Sequence, residues 1–424
     1  MSTNIYIKTY GCTLNRSDSE LMAGLLKKAD FEIVKNPDDA FIIIINTCAV
    51  KSPTQEKFFS YLKKLKEKYQ YKKIIITGCI PQTMPKKLKS YPLLGTSQIT
   101  NIVQLVEEVL HDNPVKILKK ENFPRLNLPK IRKNPVIEII PICEGCLGAP
   151  CSYCIVKKAR GHLRSYPKEN IIKQARKALI KDNVKELWLT AQDTGCYGKD
   201  INSSLPELLE EIIAIPKEFK IRLGMLNPDH AYELLDKLIK IYKSEKMFKF
   251  LHIPVQSGNN EILKKMKRNY TSKQFKEIIK RFRQEIPNIT IATDIIVGFP
   301  GETEEQFQDS LDLIKETAPD VLNRNRYWKR PKTAAAKMKN QVNNKEKKRR
   351  SSLLTDIFKN ISRMRNERWL DWTGNIIIDE KGKDDSLVGR NFAYKPIIVK
   401  GDHRLGEEIK VQIKNITPFD LRTF

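Results

Sequence analysis

Apolar residues in the first hundred positions fall into short unbroken runs, Ile5–Lys8, Phe41–Ile45 and Ile74–Thr77. Between them, in Asp18–Ala29 and Phe58–Tyr69, they recur every three or four residues. Unbroken runs suit strands covered on both faces, and the wider spacing suits helices with one buried stripe. The pattern predicts a parallel sheet layered with helices over residues 1–112. The stretch 113–134, with three prolines and many lysines, breaks the alternation and reads as a linker.

The alternation resumes at Val136. Strands are expected at Val136–Ile142, Glu186–Thr190, Ile221–Met225, Phe248–Ile253, Thr290–Val297 and Asp320–Tyr327. Helical patterns fill the gaps; Leu205, Leu208, Leu209, Ile212 and Ile213 would share one buried face. Six strand–helix units in this span, 135–335, predict a partial (β/α)6 barrel, two units short of a full one. A basic, helix-like connector covers 336–366. From 367 to 424 the pattern turns to short β-type runs, Asn375–Asp379, Pro396–Val399 and Glu408–Ile413, separated by glycines. That suits a small closed β-barrel of the oligonucleotide-binding kind.

Charge adds a partner to this picture. Lysine and arginine number 77 against 50 acids, a formal charge of +27, and such a surplus favours a polyanion, nucleic acid before others. No stretch approaches the ~20 apolar residues of a membrane-spanning helix. The opening MSTNIYIKTYGC lacks the basic-then-apolar layout of a secretion signal. A cytoplasmic, reducing location without a membrane partner is the expectation. There the eight cysteines point to metal or redox chemistry rather than disulfides.

Their positions sharpen that. Cys12, Cys48 and Cys79 each follow a predicted parallel strand. The carboxyl edge of such a sheet is where ligands gather, so three thiols would converge on a soft metal, zinc or an iron–sulfur cluster. The second set, Cys146-Leu-Gly-Ala-Pro-Cys151-Ser-Tyr-Cys154, opens the barrel just after its first strand. Three cysteines on one loop leave the fourth iron of a cubane open to a chelating cofactor. Cys143 as a fourth ligand would instead give a closed zinc site, although the two pairs are tightly spaced for one.

The stretches TYGCTLNRSDSE, INTCAVKSPTQEK, ITGCIPQ, EGCLGAPCSYCIVKKARG, LTAQDTGCYGKD, IRLGMLNPDH, HIPVQSGN and TDIIVGFPGETEEQF resemble those of the radical-SAM methylthiotransferases. The resemblance is strongest to the archaeal and eukaryotic type, which acts on N6-threonylcarbamoyladenosine beside the tRNA anticodon. It spans residue 9 to about 365, and the tail is similar to the family's TRAM domain. It implies an α/β chain: an N-terminal flavodoxin-like domain, a central radical-SAM barrel and a C-terminal TRAM β-barrel. Cys146, Cys151 and Cys154 would carry the 4Fe–4S cluster that binds S-adenosylmethionine. The resulting 5′-deoxyadenosyl radical would take hydrogen from C2 of the adenine. Cys12, Cys48 and Cys79 would hold a second 4Fe–4S cluster that delivers the methylthio group, its methyl coming from a first S-adenosylmethionine. An electron donor protein and a sulfur donor would be further partners. Two stretches depart from the family pattern: Pro150 lengthens the first gap of the cluster loop to four residues, and Arg330-Pro331-Lys332-Thr333 replaces an arginine-proline-glycine-threonine.

Other assignments follow from position. Gln192, Asp193, Gln256 and Ser257 come just after barrel strands and are candidate cofactor contacts, with ordinary loop polarity as the alternative. Arg160 and Arg164 are candidates for a substrate phosphate or the cofactor carboxylate. For RNA, the candidates are Lys345–Arg350, Arg390, Lys395, Lys400 and Arg404, with Phe392 and Tyr394 available for stacking. Gly298–Glu302 reads as a structural turn. Cys143 and Cys196 read as packing residues. The competing functions are a methylthiotransferase for isopentenyl-adenosine tRNA or a ribosomal protein, and a non-catalytic tRNA-binding zinc protein.

Overall fold

The computed structural model describes residues 3–50, 52–119, 124–148 and 150–424. Ala149 of the cluster loop and residues 120–123 of the expected linker lie outside the described residues. The chain forms two units. Residues 1–133, 139–149 and 154–166 make the first; 134–138, 150–153 and 167–424 make the second.

The first unit is built on six parallel strands: β1 (Asn4–Thr9), β2 (Glu32–Val34), β3 (Ile42–Thr47), β4 (Lys73–Gly78), β5 (Leu93–Gly95) and β6 (Lys116–Ile117). Their order is β2-β1-β3-β4-β5-β6, the flavodoxin-like order, which reverses direction between β1 and β3. The unbroken isoleucines of β3 have a simple cause. Ile42 and Ile44 pack with Leu21, Leu26, Leu105 and Val109 on one face. Ile43 and Ile45 pack with Phe58, Leu62 and Leu65 on the other. Successive side chains of a strand face opposite ways, so both must be apolar when helices cover both sides.

Two expectations are corrected here. The stretch 113–134 is not simply a linker, because Lys116 and Ile117 pair with Leu93 and Leu94 as β6. Residues after the first barrel strand also belong to this unit, because Ile155 and Ala159 pack into its core beside Cys79 and Ile80. No periodic signal marks either feature: β6 has two residues, and the docking helix Val156–Arg160 has five.

In the second unit, Lys220–Leu223 pairs in parallel with Glu186–Thr190, which neighbours the strand begun by Ile137 and Glu138. Phe250–His252, Thr290–Val297 and Val321–Arg326 form a second parallel sheet. Backbone bonds from Phe248 to Ile221 and from Leu226 to His252 join the two sheets. The six strands therefore run in chain order as the predicted partial barrel. A long helix, Asn344–Glu367, starts where the Asn343 side chain accepts from the Glu346 N–H. The tail is a curled six-stranded sheet around Trp369, Ile376, Ile378, Ile397, Ile413 and Leu421. It packs on the amino ends of the barrel strands, where the Tyr394 ring lies 4.8 Å from Phe248 and 5.2 Å from Phe250.

Candidate metal and cofactor centres

Cys12, Cys48 and Cys79 follow β1, β3 and β4, three neighbouring strands. The register aligns Thr9 with Asn46 and Thr47 with Gly78, so the three turns leave the sheet at one level. Two glycines let them close in. Gly11 has φ +113°, and a Cβ there would stand 2.6 Å from the Cys48 Cβ. Gly78 has φ +91°, and its Cβ would meet Asn46 Oδ1 at 2.4 Å. Only glycine adopts such angles without strain and leaves that space open.

Hydrogen bonds hold the turns together. Asn15 Nδ2 donates to the carbonyls of Tyr10 (2.8 Å) and Thr47 (2.9 Å), spanning the residues beside Cys12 and Cys48. Thr47 Oγ1 donates to the Thr77 carbonyl and accepts from the Ile80 N–H, spanning to the Cys79 turn. Cys48 Sγ accepts from the Val50 N–H at 3.4 Å. Burial pushes the Cys79 thiol up to about 12; the charges of Cys48 and Cys12 add to this and Arg160 opposes it. A buried thiol crowded by two others becomes a thiolate once a metal replaces its proton. Cys12 is exposed and the other two are buried, so the cluster of thiols opens on one side. The donor set suits a group with three protein ligands and one reactive face.

Beside it lies a closed ring of buried charge. Arg160 meets Asp18 at 2.6 Å and Glu144 at 3.1 Å. Arg125 meets the same two acids at 2.5 and 3.0 Å. Arg160 also donates to Asn15 Oδ1. This corrects the assignment of Arg160 to a phosphate: its side chain is 1% exposed and both acids already occupy it. Sequence spacing gave no sign of this, since Asp18 and Arg160 are 142 residues apart.

On the second cysteine loop, Cys146 bridges to His162, and Cys154 Sγ accepts from the Val156 N–H at 3.3 Å. Arg268, which sequence reasoning missed, donates to Cys151 Sγ at 3.1 Å. All three cysteines are partly exposed, and two of the sulfurs each accept a hydrogen bond from an N–H donor. These residues too fit an iron–sulfur cluster. Cys143 and Cys196 are buried. Cys143 lies in a two-residue strand paired to Ser165, and Cys196 donates to the Asp193 carbonyl.

Past the carboxyl ends of the barrel strands, Asp193 accepts from the N–H groups of Gly195 and Asn227 and holds His230 Nδ1 at 2.9 Å. Gln192 beside it is half-buried. Gln256 has φ +69°, with its backbone bonded to Asp294 and Ile296; such backbone gathers at functional sites. Ser257 is corrected to a structural role, because its buried hydroxyl accepts from the Asn259 N–H and meets Ser310. Gly298–Glu302 is the expected structural turn, with Glu302 accepting from the Gly298 N–H and pairing with Arg350.

Among the RNA candidates, Lys395 is buried against Asp320 (3.0 Å) and Asn366. Arg390 pairs with Asp379 at 3.1 Å and stacks on the buried Tyr394 ring. Lys347 and Arg350 are buried as well. These assignments, and stacking by Tyr394, are corrected: a basic or aromatic residue type cannot by itself tell an outer face from one that seats on another element. Lys345, Lys348, Lys400 and Arg404 are exposed and Arg164 is half-buried. Phe392 packs with Trp369 and Trp372. Among the described residues no helix is long and apolar enough to cross a membrane.

The partial barrel with a three-cysteine loop defines a class. Residues 140–314 match the model of the Radical SAM superfamily, 4–94 that of Uncharacterized protein family UPF0004, and 373–423 that of the TRAM domain. The fold is similar to the radical S-adenosylmethionine methyltransferase TsrM from Kitasatospora setae, at a TM-score of 0.56 and 13% identity over 79% of this chain and 77% of that one. The chain is 45% identical to a probable threonylcarbamoyladenosine tRNA methylthiotransferase of Pyrococcus horikoshii, over 97% of this chain and 96% of the relative. It is 40% identical to the threonylcarbamoyladenosine tRNA methylthiotransferase of Homo sapiens, over 96% of this chain and 72% of the relative. The chain belongs to the threonylcarbamoyladenosine tRNA methylthiotransferases, radical-SAM enzymes with two 4Fe–4S clusters.

Proposed function

We propose that this chain converts N6-threonylcarbamoyladenosine beside the tRNA anticodon to its 2-methylthio derivative, with its six cysteines working as two sets. Cys146, Cys151 and Cys154 hold the cluster that binds S-adenosylmethionine, and Cys12, Cys48 and Cys79 hold the auxiliary cluster. When bound, these groups supply hydrogen abstraction at an inert aromatic carbon and delivery of a sulfur-containing group. The observation that carries the reading is the convergence of three cysteine turns at one sheet edge, spaced by Gly11, Gly78 and Asn15.

The chain's own residues hold and orient. Asp193 and His230 fix the turn after Glu186–Thr190, which presents Gln192 as a polar contact for the cofactor, and Gln256 does the same one sheet further on. Exposed Lys345, Lys348, Lys400 and Arg404, with half-buried Arg164, supply phosphate contacts along the tRNA. An electron donor protein and a sulfur donor complete the reaction, and the setting is the cytoplasm.

Metal analysis of anaerobically purified protein tests the division. Two clusters give about eight irons per chain, and the triple variant Cys12→Ala/Cys48→Ala/Cys79→Ala should retain half. Stoichiometric zinc, or loss of all iron from a folded triple variant, contradicts it.

A further inference from the structure

Several arginines withdrawn from water in this chain are matched by acids. Arg160 and Arg125 share Asp18 and Glu144, Arg350 has Glu302, and Arg390 has Asp379. Arg268 differs. Its Nε donates to the Tyr270 hydroxyl at 3.0 Å, Nη1 to Cys151 Sγ at 3.1 Å and Nη2 to Asn227 Oδ1. Among the described residues no carboxylate reaches it. A cation partly withdrawn from water and left without an acid calls for an anion. Of its three partners, only the Cys151 sulfur would become an anion on binding iron.

Hydrogen bonds set the spacing of this pair. Ser152 donates through its N–H to the Met266 carbonyl (3.1 Å) and through its hydroxyl to the Lys265 carbonyl (2.8 Å). The cluster loop next to Cys151 is thus tied to the end of the helix that leads into Arg268. Tyr270, buried and donating to the Val255 carbonyl at 2.8 Å, supports the guanidinium, whose centre is 5.0 Å from its ring. A fork held at three points keeps its aim as charge on the sulfur changes.

We propose that Arg268 is a positioning residue for the radical-SAM cluster, donating to the Cys151 ligand sulfur and raising the cluster's reduction potential. The inference rests on the reading of Cys151 as a cluster ligand. A cluster that gains an electron becomes more negative, and a fixed cation with an N–H aimed at a ligand sulfur stabilises that form over the oxidised one. The role requires no contact with the tRNA.

The test is potentiometry followed by electron paramagnetic resonance. The parent is the full chain carrying Cys12→Ala/Cys48→Ala/Cys79→Ala, so that only this cluster gives a signal. At the potential where half of the parent cluster is reduced, Arg268→Gln should lower the reduced-to-oxidised ratio at least tenfold, a shift of about 59 mV for one electron. Arg268→Lys keeps the charge without the fork and should shift the same way by less. An unchanged potential in iron-loaded Arg268→Gln overturns the proposal. So does loss of iron from both folded variants, since the arginine would then hold the cluster rather than tune it. If the parent with Cys151→Ala added still binds a full cluster, the ligand assignment itself fails, and this role with it.

Discussion

At the residue scale, one arginine shows how burial decides function. Arg160, six residues beyond Cys154, has the composition and position of a phosphate contact. In the fold, Asp18 and Glu144 close around it. Removing one partner of a buried ion pair leaves uncompensated charge, so Arg160→Met should destabilise the chain by about 3 kcal/mol in urea unfolding. The salt dependence of tRNA binding by the folded variant should be unchanged, whereas a lost phosphate contact would lower its slope by about 1. Glu144 gives a pH signature. Burial alone would raise its pKa from 4.5, but Arg125 and Arg160 override this and hold it at about 2. A carboxyl depressed in the fold stabilises it above the unfolded value. That contribution is complete above about pH 4.5 and lost as pH falls towards 2, and unfolding midpoints measured across this range should fall accordingly. In Glu144→Gln that component of the fall should be missing.

At the scale of elements, the sequence was most legible where a pattern had a single physical cause. The isoleucines of β3 are apolar because both faces are covered, and Cys12, Cys48 and Cys79 follow strands because that edge is where turns meet. What it concealed depends on contacts between distant segments. The two-residue β6 exists because Leu93 and Leu94 offer it a free edge. Arg268 aims at Cys151 across 117 residues, and nothing in the local sequence around either announces the pair. The glycines before Cys12 and Cys79 were visible only as letters of motifs, and their geometry gives them a task. Gly78→Ala would push a Cβ to within 2.4 Å of Asn46 Oδ1 and 2.5 Å of the Thr47 carbonyl. We expect this variant to fold but lose about half its iron, the auxiliary share; full iron loading would show that the turns need no such close approach.

At the scale of the whole chain, the tail domain sits on the amino ends of the barrel strands, while the cofactor candidates lie past their carboxyl ends. Its seat is electrostatic as well as apolar. Asp320 is buried, and although burial would raise its pKa, Lys395 and Arg365 hold it below the ordinary carboxylate range. Asp320→Asn should leave Lys395, Arg365 and Arg283 without their shared acid and loosen the tail. Limited proteolysis would show this as faster cleavage near residue 370; an unchanged rate would mean that Tyr394 and its aromatic neighbours suffice. The central claim concerns the base itself, and nucleoside mass spectrometry tests it directly. The chain is expressed in a host whose tRNA carries threonylcarbamoyladenosine without methylthiolation, and that tRNA is digested. The account predicts a new nucleoside heavier by one methylthio group in place of one hydrogen, absent with Cys151→Ala. An unchanged nucleoside from a host making fully iron-loaded protein would contradict it.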